Sequence, residues 1–371
     1  MKKVIISVSN DLVTDQRVDR HAKTLLEMGF DVLVIGRRKK DSLDLLPRKY
    51  NIKRFRLPFE RGPFFYAFLN IKIFLFLLYH SADLLVSNDL DTLIGNYLVH
   101  RLKGIPLTYD SHEYFTGVPE LVNRKLVRNI WLRIEKWLLP GLQYTFTVNE
   151  SIAALYEEKY GIRMTVIRNM PFKKDYRIES AKKTLGLPIE KKIILLQGAG
   201  INVDRGVEEM IIAMHDIDQA CFCIIGGGDV LDKLKSLVQK EMLDGKVIFI
   251  PKLPFDKLYE YTVHADIGLA IDKPTNLNYL YSLPNKLFDY IQARVPILAS
   301  DLPEIAKIIR TYEIGDLLEH HNPEQIAHKV NEMLKDSEKL AAYKENLTFA
   351  ANELCWENEV IKFKQVYQQF V

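Results

Sequence analysis

Cysteine is scarce: three in 371 residues, too few to staple a chain of this length with disulfides. Cys221 and Cys223 lie two apart in Ala-Cys-Phe-Cys-Ile-Ile, with no histidine or further cysteine near them. That pattern predicts side chains packed in a buried strand, not a metal site, and free thiols suit a reducing cytoplasm. Low-complexity tracts are absent, as is any repeat of solenoid length. No helix-turn-helix, zinc-finger or RNA-binding pattern occurs, so nucleic acid is not an expected partner. The first apolar run, residues 4–8, is too short for a signal-peptide core and leads into a polar loop. It is expected to be a strand.

Long hydrophobic runs are also few. The bulkiest, residues 63–79 (PFFYAFLNIKIFLFLLY), falls short of the roughly 20 residues that span a bilayer. It also carries Asn70 and Lys72, so a helix of the first domain is expected, with more aromatic surface than one core face uses. Before it stand Arg37, Arg38, Lys39, Lys40, Arg48, Lys49, Lys53, Arg54, Arg56 and Arg61. Cations beside exposed aromatics suit peripheral docking on an anionic membrane surface. The competing expectation is a buried helix beside a solvated basic loop. The formal charge of +3 is unevenly spread: the first 170 residues carry an excess of about eight positive charges, the rest an excess of about five negative ones. Only the first half is therefore expected to face something anionic.

What is present is an alternation. In the first half, apolar runs at 4–8, 32–36, 83–87, 106–109 and 144–148 are separated by helical patterns, beginning with 19–28. The second half starts again, with runs at 193–197, 222–225, 247–250, 267–270 and 296–299. Such alternation predicts an α/β chain of two Rossmann-like domains with parallel sheets, a length of 371 residues also being suited to two cores. A charged linker is expected near 171–182. The boundaries expected are 1–172 and 173–354, with residues 355–371 forming a last helix. Trp356, Val360, Phe363, Val366, Tyr367 and Phe370 share one face of it. In such sheets ligands bind beyond the carboxyl ends of the strands.

Four second-half segments resemble the GT4-type, or group 1, retaining glycosyltransferases: LQGAGINVDRGV (196–207), IGGGD (225–229), HADIGL (264–269) and SLPNKLFDY (282–290), the last leading to VPILASD (295–301). In the first half, SND (9–11) with DQR (15–17), YDSHEY (109–114), VNES (148–151) and RN (168–169) resemble a subgroup of that family. The resemblance implies a GT-B fold, in which two Rossmann-like domains face each other across a cleft and the last helix crosses back onto the first domain. The first domain would bind the acceptor and the second the nucleotide sugar.

The placements are physically sound. Glycine-rich turns at Gly198, Gly200 and Gly227 would expose backbone N–H groups to a diphosphate. Arg205 and Lys286 would add positive charge, Lys286 beside the start of a helix running from Leu287. Ser282, Pro284 and Asn285 form the loop before it. Asp289 falls on the family acid that takes the ribose hydroxyls. Two positions depart from the family. Tyr281 stands where a first acid would face the sugar, and Ala199 where an arginine would face the diphosphate, so the segment is expected to clamp diphosphate and ribose more than to read the sugar.

The resemblance places His112 against the transferred sugar, with Glu113 as a base or as a partner orienting it. Asp15 and Arg17 follow the first strand, where the family has its donor–acceptor loop; the bland alternative is a cap and salt bridge for the first helix. Asp89 and Asp91 form a D-x-D, common by chance and outside the expected diphosphate site, so no metal or other cofactor is expected. The resemblance implies retaining transfer from a UDP- or GDP-sugar to a glycan or lipid-linked acceptor, in bacterial surface polysaccharide or glycolipid assembly. The leaving phosphate would accept the acceptor's proton, with His112, Glu113, Arg205 and Lys286 supporting it. Two alternatives remain at this level: an NDP-sugar epimerase of the same architecture, and a non-catalytic nucleotide-sugar-binding protein. Gly198-Ala199-Gly200 lacks the third glycine and the later acid of a nicotinamide fingerprint.

Overall fold

The structure is a computed structural model, which describes every residue except 14, 41, 43, 46 and 123. By internal contacts it divides into unit 1, Met1–Asn169 with Glu359–Val371, and unit 2, Met170–Asn358.

Unit 1 carries β1 (Lys3–Ser7), β2 (Asp31–Arg38), β3 (Asn51–Arg56), β4 (Leu84–Asn88), β5 (Leu107–Asp110), β6 (Tyr144–Thr147) and β7 (Thr165–Val166). They form one sheet in the order β3-β2-β1-β4-β5-β6-β7, and every pairing is parallel. β1 and β4 are buried on both faces, as a parallel sheet covered by helices requires. Strand order reverses between β1 and β4, which opens a crevice at their carboxyl ends. The first helix, Gln16–Glu27, starts earlier than its apolar pattern suggests, because the Asp15 carboxylate accepts the Val18 N–H at 3.0 Å and caps it.

The apolar run becomes helix Gly62–Tyr79. Phe65, Leu69, Ile73 and Leu77 form its buried stripe. Asn70 joins it to helix Leu90–Lys103, donating to the Asp91 carbonyl at 2.7 Å and accepting the Gly95 N–H at 2.9 Å. A Cβ at position 95 would lie 2.7 Å from the Asn70 carbonyl oxygen, so glycine permits the approach. Among the described residues this is the one helix long and apolar enough to cross a membrane by length and composition, with 28% of that stretch buried. Phe64, Phe68, Ile71, Leu75 and Tyr79 are exposed.

The last helix, Trp356–Tyr367, supplies aromatic rings to unit 1 from Glu359 onward. Phe363 lies against His21 at 4.6 Å between ring centroids, and Tyr367 stacks on Phe146 at 5.7 Å. Glu359 accepts the Arg168 N–H at 2.9 Å.

Unit 2 carries β8 (Lys192–Gly198), β9 (Ala220–Gly226), β10 (Val247–Pro251), β11 (Ile267–Ala270), β12 (Ile297–Ser300) and β13 (Gly315–Leu318). The order is β10-β9-β8-β11-β12-β13, again parallel throughout, with the reversal between β8 and β11. Cys221 and Cys223 are free thiols buried in β9. Three strands lay outside the sequence expectation: β3, β7 and β13. β3 alternates basic residues at the sheet edge, which reads as a solvated loop when burial is the only signal.

Candidate active site

Each unit gathers charged side chains at the carboxyl ends of its central strands. In unit 2 the turn after β8 contains Gly198, Gly200 and Arg205. Gly206 follows with φ +73°, and a Cβ there would lie 2.4 Å from the Ile271 carbonyl. Only glycine lets the turn come this close to the end of β11. That approach brings Arg205 to Asp272, whose carboxylate pairs with the guanidinium at 2.8 Å and with Lys286 Nζ at 3.2 Å. Asp272 is fully buried, and the side chains of Arg205 and Lys286 are 23% and 10% exposed. The Tyr279 ring supports the guanidinium, 4.2 Å from centroid to Cζ.

Burial would raise the Asp272 pKa, but Lys286 and then Arg205 hold it below the ordinary carboxylate range. Burial lowers the Lys286 pKa, Asp272 working against it and Arg205 with it. Two cations thus share one buried carboxylate, an arrangement that suits an anion. Lys286 lies in the first turn of helix Asn285–Gln292, next to N–H groups that no side chain caps. Pro284 is the residue before that helix and Leu287 is buried within it. Ser282 Oγ is buried with no hydrogen-bond partner among the described residues.

A Cβ added at Gly198 or Gly200 would meet nothing closer than 3.9 Å, and at Gly227 nothing within 4 Å. Packing therefore does not demand glycine at these three positions. The two loops are tied to one another by Gly227 N–H to the Gly198 carbonyl at 3.2 Å and Ile201 N–H to the Gly227 carbonyl at 2.8 Å. Asp289 is one turn beyond Lys286 and accepts from Gln197 Nε2 at 3.1 Å, while Thr262 donates to Gln197 Oε1 at 2.7 Å. A small hollow beside Asp289 is lined by Lys174, Gln197, Phe255, Tyr259 and Thr262.

In unit 1 the reversal point holds a denser cluster. Arg17, 3% exposed, makes a two-toothed ion pair with Asp110 at 2.9 and 2.6 Å and donates to the Ile167 carbonyl at 2.7 Å. Its guanidinium is thus engaged inside the domain, in an ion pair of the kind the alternative expectation described. The reason is that the helix begins early, at Gln16, and turns position 17 inward. Asp15 likewise serves as the cap described above and accepts from Asn10 Nδ2.

His112 lies in the bend after β5, 23% exposed in its side chain. Its backbone N–H donates to Asp89 Oδ1 at 2.9 Å, and its ring faces Asp89 and Asp110 at 3.4 and 3.5 Å. Burial pulls its pKa down, but Asp89, followed by Asp110, outweighs this and lifts it to about 9. Burial and the neighbouring Arg17 lower His21 to about 4, so it is neutral near pH 7. Burial would raise the Asp110 pKa, yet Arg17, His112 and His21 hold it well below its usual range. Glu113 follows in the bend, where its carbonyl accepts the Ser111 hydroxyl at 2.7 Å.

The two halves match separate family profiles: Glycosyltransferase Family 4 over residues 15–170 and Glycosyl transferases group 1 over residues 178–348. The chain is a GT4-like glycosyltransferase. Solved structures share its GT-B fold of two Rossmann-like domains. Sucrose-phosphate synthase from Thermosynechococcus elongatus is 17% identical with a TM-score of 0.84, covering 100% of this chain and 99% of that one. The Anabaena HepE protein in complex with UDP-glucose is 13% identical with a TM-score of 0.77, at the same coverages. WaaG, a glycosyltransferase of lipopolysaccharide biosynthesis, is 17% identical with a TM-score of 0.70, covering 96% of this chain and 99% of that one. No curated protein sequence matches the chain.

In this glycosyltransferase the sequence motifs pointed to Arg205 and Lys286, and the structure brings those two together. Their shared partner Asp272, and Asp89 beside His112, were not among the expected site residues. Asp272 stands two positions past β11, where strand-end topology could have singled it out.

Proposed function

We propose that the enzyme transfers a sugar with retention from a nucleoside-diphosphate sugar to a glycan or lipid-linked acceptor in surface polysaccharide or glycolipid assembly. The observation that carries this is the convergence of Arg205 and Lys286 on one carboxylate, Asp272, at a helix N-terminus and next to open glycine turns. A diphosphate is an anion of the kind this arrangement suits. Arg205, Lys286 and the backbone at Gly198, Gly200 and Gly227 hold it, and Asp289 takes the ribose hydroxyls. The glycosidic C–O bond to the phosphate breaks, the acceptor oxygen bonds to the anomeric carbon on the same face, and its proton passes to the leaving phosphate. Positioning and charge stabilisation then supply the acceleration. Unit 1 takes the acceptor, with His112 and Glu113 near the transferred sugar. The reading draws support from the HepE structures with UDP-glucose and with UDP and glucose, and from the pathway in the WaaG description.

A panel of UDP- and GDP-sugars tests this. Slow release of nucleoside diphosphate without acceptor, accelerated by a glycan or lipid-linked acceptor, is expected. Interconversion of the sugar without release would make the protein an epimerase, and binding without either would make it a sensor.

A lipid-linked acceptor implies work at the inner face of a membrane. Exposed Phe64, Phe68, Ile71, Leu75 and Tyr79 on helix Gly62–Tyr79, with Lys72 among them and the basic β3 preceding, favour peripheral docking there. Flotation with vesicles rich in phosphatidylglycerol at low salt is expected to carry the protein upward; failure to float would remove this part of the reading.

A further inference from the structure

Oxygen acceptors surround the His112 imidazole. Nδ1 faces Asp89 Oδ2 at 3.4 Å. Nε2 faces Asn88 Oδ1 at 3.2 Å and Asp110 Oδ2 at 3.5 Å. The Asn88 amide is oriented by its own Nδ2, which donates to the Ser7 carbonyl at 3.1 Å, so its oxygen is the atom turned to the ring. A neutral imidazole has one N–H and one lone pair. Either tautomer would set that lone pair against oxygen. Only the doubly protonated ring suits both sides.

We propose that Asp89 is a positioning residue that holds His112 as an imidazolium, making it a fixed cation and hydrogen-bond donor at the end of β5 and not a proton acceptor. This rests on the transferase reading, in which His112 lies near the transferred sugar. Asp89 uses both carboxylate oxygens: Oδ1 takes the His112 backbone N–H at 2.9 Å and fixes the bend, while Oδ2 faces the ring. Its backbone sits at φ 57° and ψ 165°, a region that residues with a Cβ rarely adopt. The Asp89 N–H donates to the Asp110 carbonyl at 2.9 Å and ties that conformation to β5. Strain of this kind persists where the side chain is needed, since glycine would adopt the same backbone freely.

The surrounding charges leave His112 as the cation for Asp89. Arg17, on the first helix, is taken by Asp110, and His21 on the same helix is neutral near pH 7. Asp91, one residue into helix Leu90–Lys103, is raised to about 7 by burial and by Asp89, and Asp15 stands farther off before the first helix. Glu113 is next in the bend. Burial disfavours the imidazolium, and Asp89 is the largest influence restoring it. A charged ring cannot accept a proton, and its two N–H groups are turned to Asp89 and to Asn88 and Asp110, so it acts through its fixed positive charge. Its charge is present below about pH 9 and lost above it.

NMR of the histidine ring nitrogens across pH, on the full chain, tests this, with His112→Gln used for assignment and donor turnover followed in parallel. In the wild type, His112 is expected to be doubly protonated at neutral pH and to titrate near 9. In Asp89→Asn and Asp89→Gly the titration should fall by about one unit or more, the influence of one adjacent carboxylate. The alkaline limb of turnover should fall with it. Glycine accepts the φ 57° backbone, so its variant keeps the test open if the asparagine variant misfolds. A singly protonated His112 at pH 7 in the wild type, or a titration unmoved in Asp89→Gly, overturns the proposal. The expected titrations without turnover of any donor would support the clamp and count against the transferase reading.

Discussion

In unit 1 two carboxylates, Asp89 and Asp110, face two cations, Arg17 and His112; in unit 2 one carboxylate, Asp272, faces two, Arg205 and Lys286. The first cluster is balanced within itself. The second sets two cations on one carboxylate, and in the proposed function a diphosphate joins them. Similar ingredients at equivalent strand ends thus give a two-to-two network in one sheet and a one-to-two cluster in the other. Burial does not follow that division: Arg17 is enclosed, whereas His112 in the first cluster and Arg205 and Lys286 in the second keep part of their surface open.

The largest expected effect comes from breaking the balanced side. Arg17→Met leaves Asp110 charged and buried, and should cost about 3–5 kcal/mol in urea unfolding. A cost below about 1 kcal/mol would mean that the network is not closed on itself. In the second cluster, Lys286→Ala should weaken UDP or GDP binding by about 1.5–3 kcal/mol, tenfold to a hundredfold by calorimetry. Unchanged affinity would place the diphosphate elsewhere.

The two clusters should also fail at opposite ends of the pH scale. Asp272 has its pKa depressed in the fold, so its contribution is complete above the unfolded carboxylate range, about 4, and is lost as pH falls through the folded value. His112 has its pKa raised, so its contribution is complete below the unfolded histidine value, about 6.5, and is lost as pH rises through about 9. Unfolding measured across pH should show Asp272→Asn losing its difference from wild type in acid and His112→Gln losing its difference in alkali. Both differences vanishing at the same end would refute the comparison.

Much of this arrangement was legible in the sequence. Buried central strands announce themselves by apolar runs, and β11 was expected within the bounds it adopts, 267–270. β3 escaped because edge strands carry charge, and β13 because GDLL is short and only partly buried. Arg205 and Lys286 were legible because glycine turns and helix starts have local signatures. Asp89 was not, since an aspartate's role depends on which distant cation the fold brings to it, whereas Asp272 had at least its place just past a strand end to mark it. At Arg17 the sequence left a ligand contact and a salt bridge both open, because the helix start at Gln16, which turns the side chain inward, depends on the Asp15 cap.

Smaller effects probe the elements that present the clusters. Asp15→Ala removes the cap that orients Arg17 and should cost about 1 kcal/mol in thermal or urea unfolding. Lys72→Gln should leave stability within about 0.5 kcal/mol but weaken flotation with anionic vesicles by about 1 kcal/mol. An equal loss on both measures would mean that Lys72 serves packing and not a surface.

β3 has a second consequence. It closes one side of its sheet with a row of main-chain groups that no neighbouring strand among the described residues takes up, and Lys53 and Arg56 project from it exposed. Like charges along such a border repel a second molecule approaching edge to edge. Variants stripped of these cations to abolish vesicle binding would also lose that repulsion, so a protein that no longer floats must be shown by light scattering to have kept the size of the wild type before its lost lipid affinity can be interpreted.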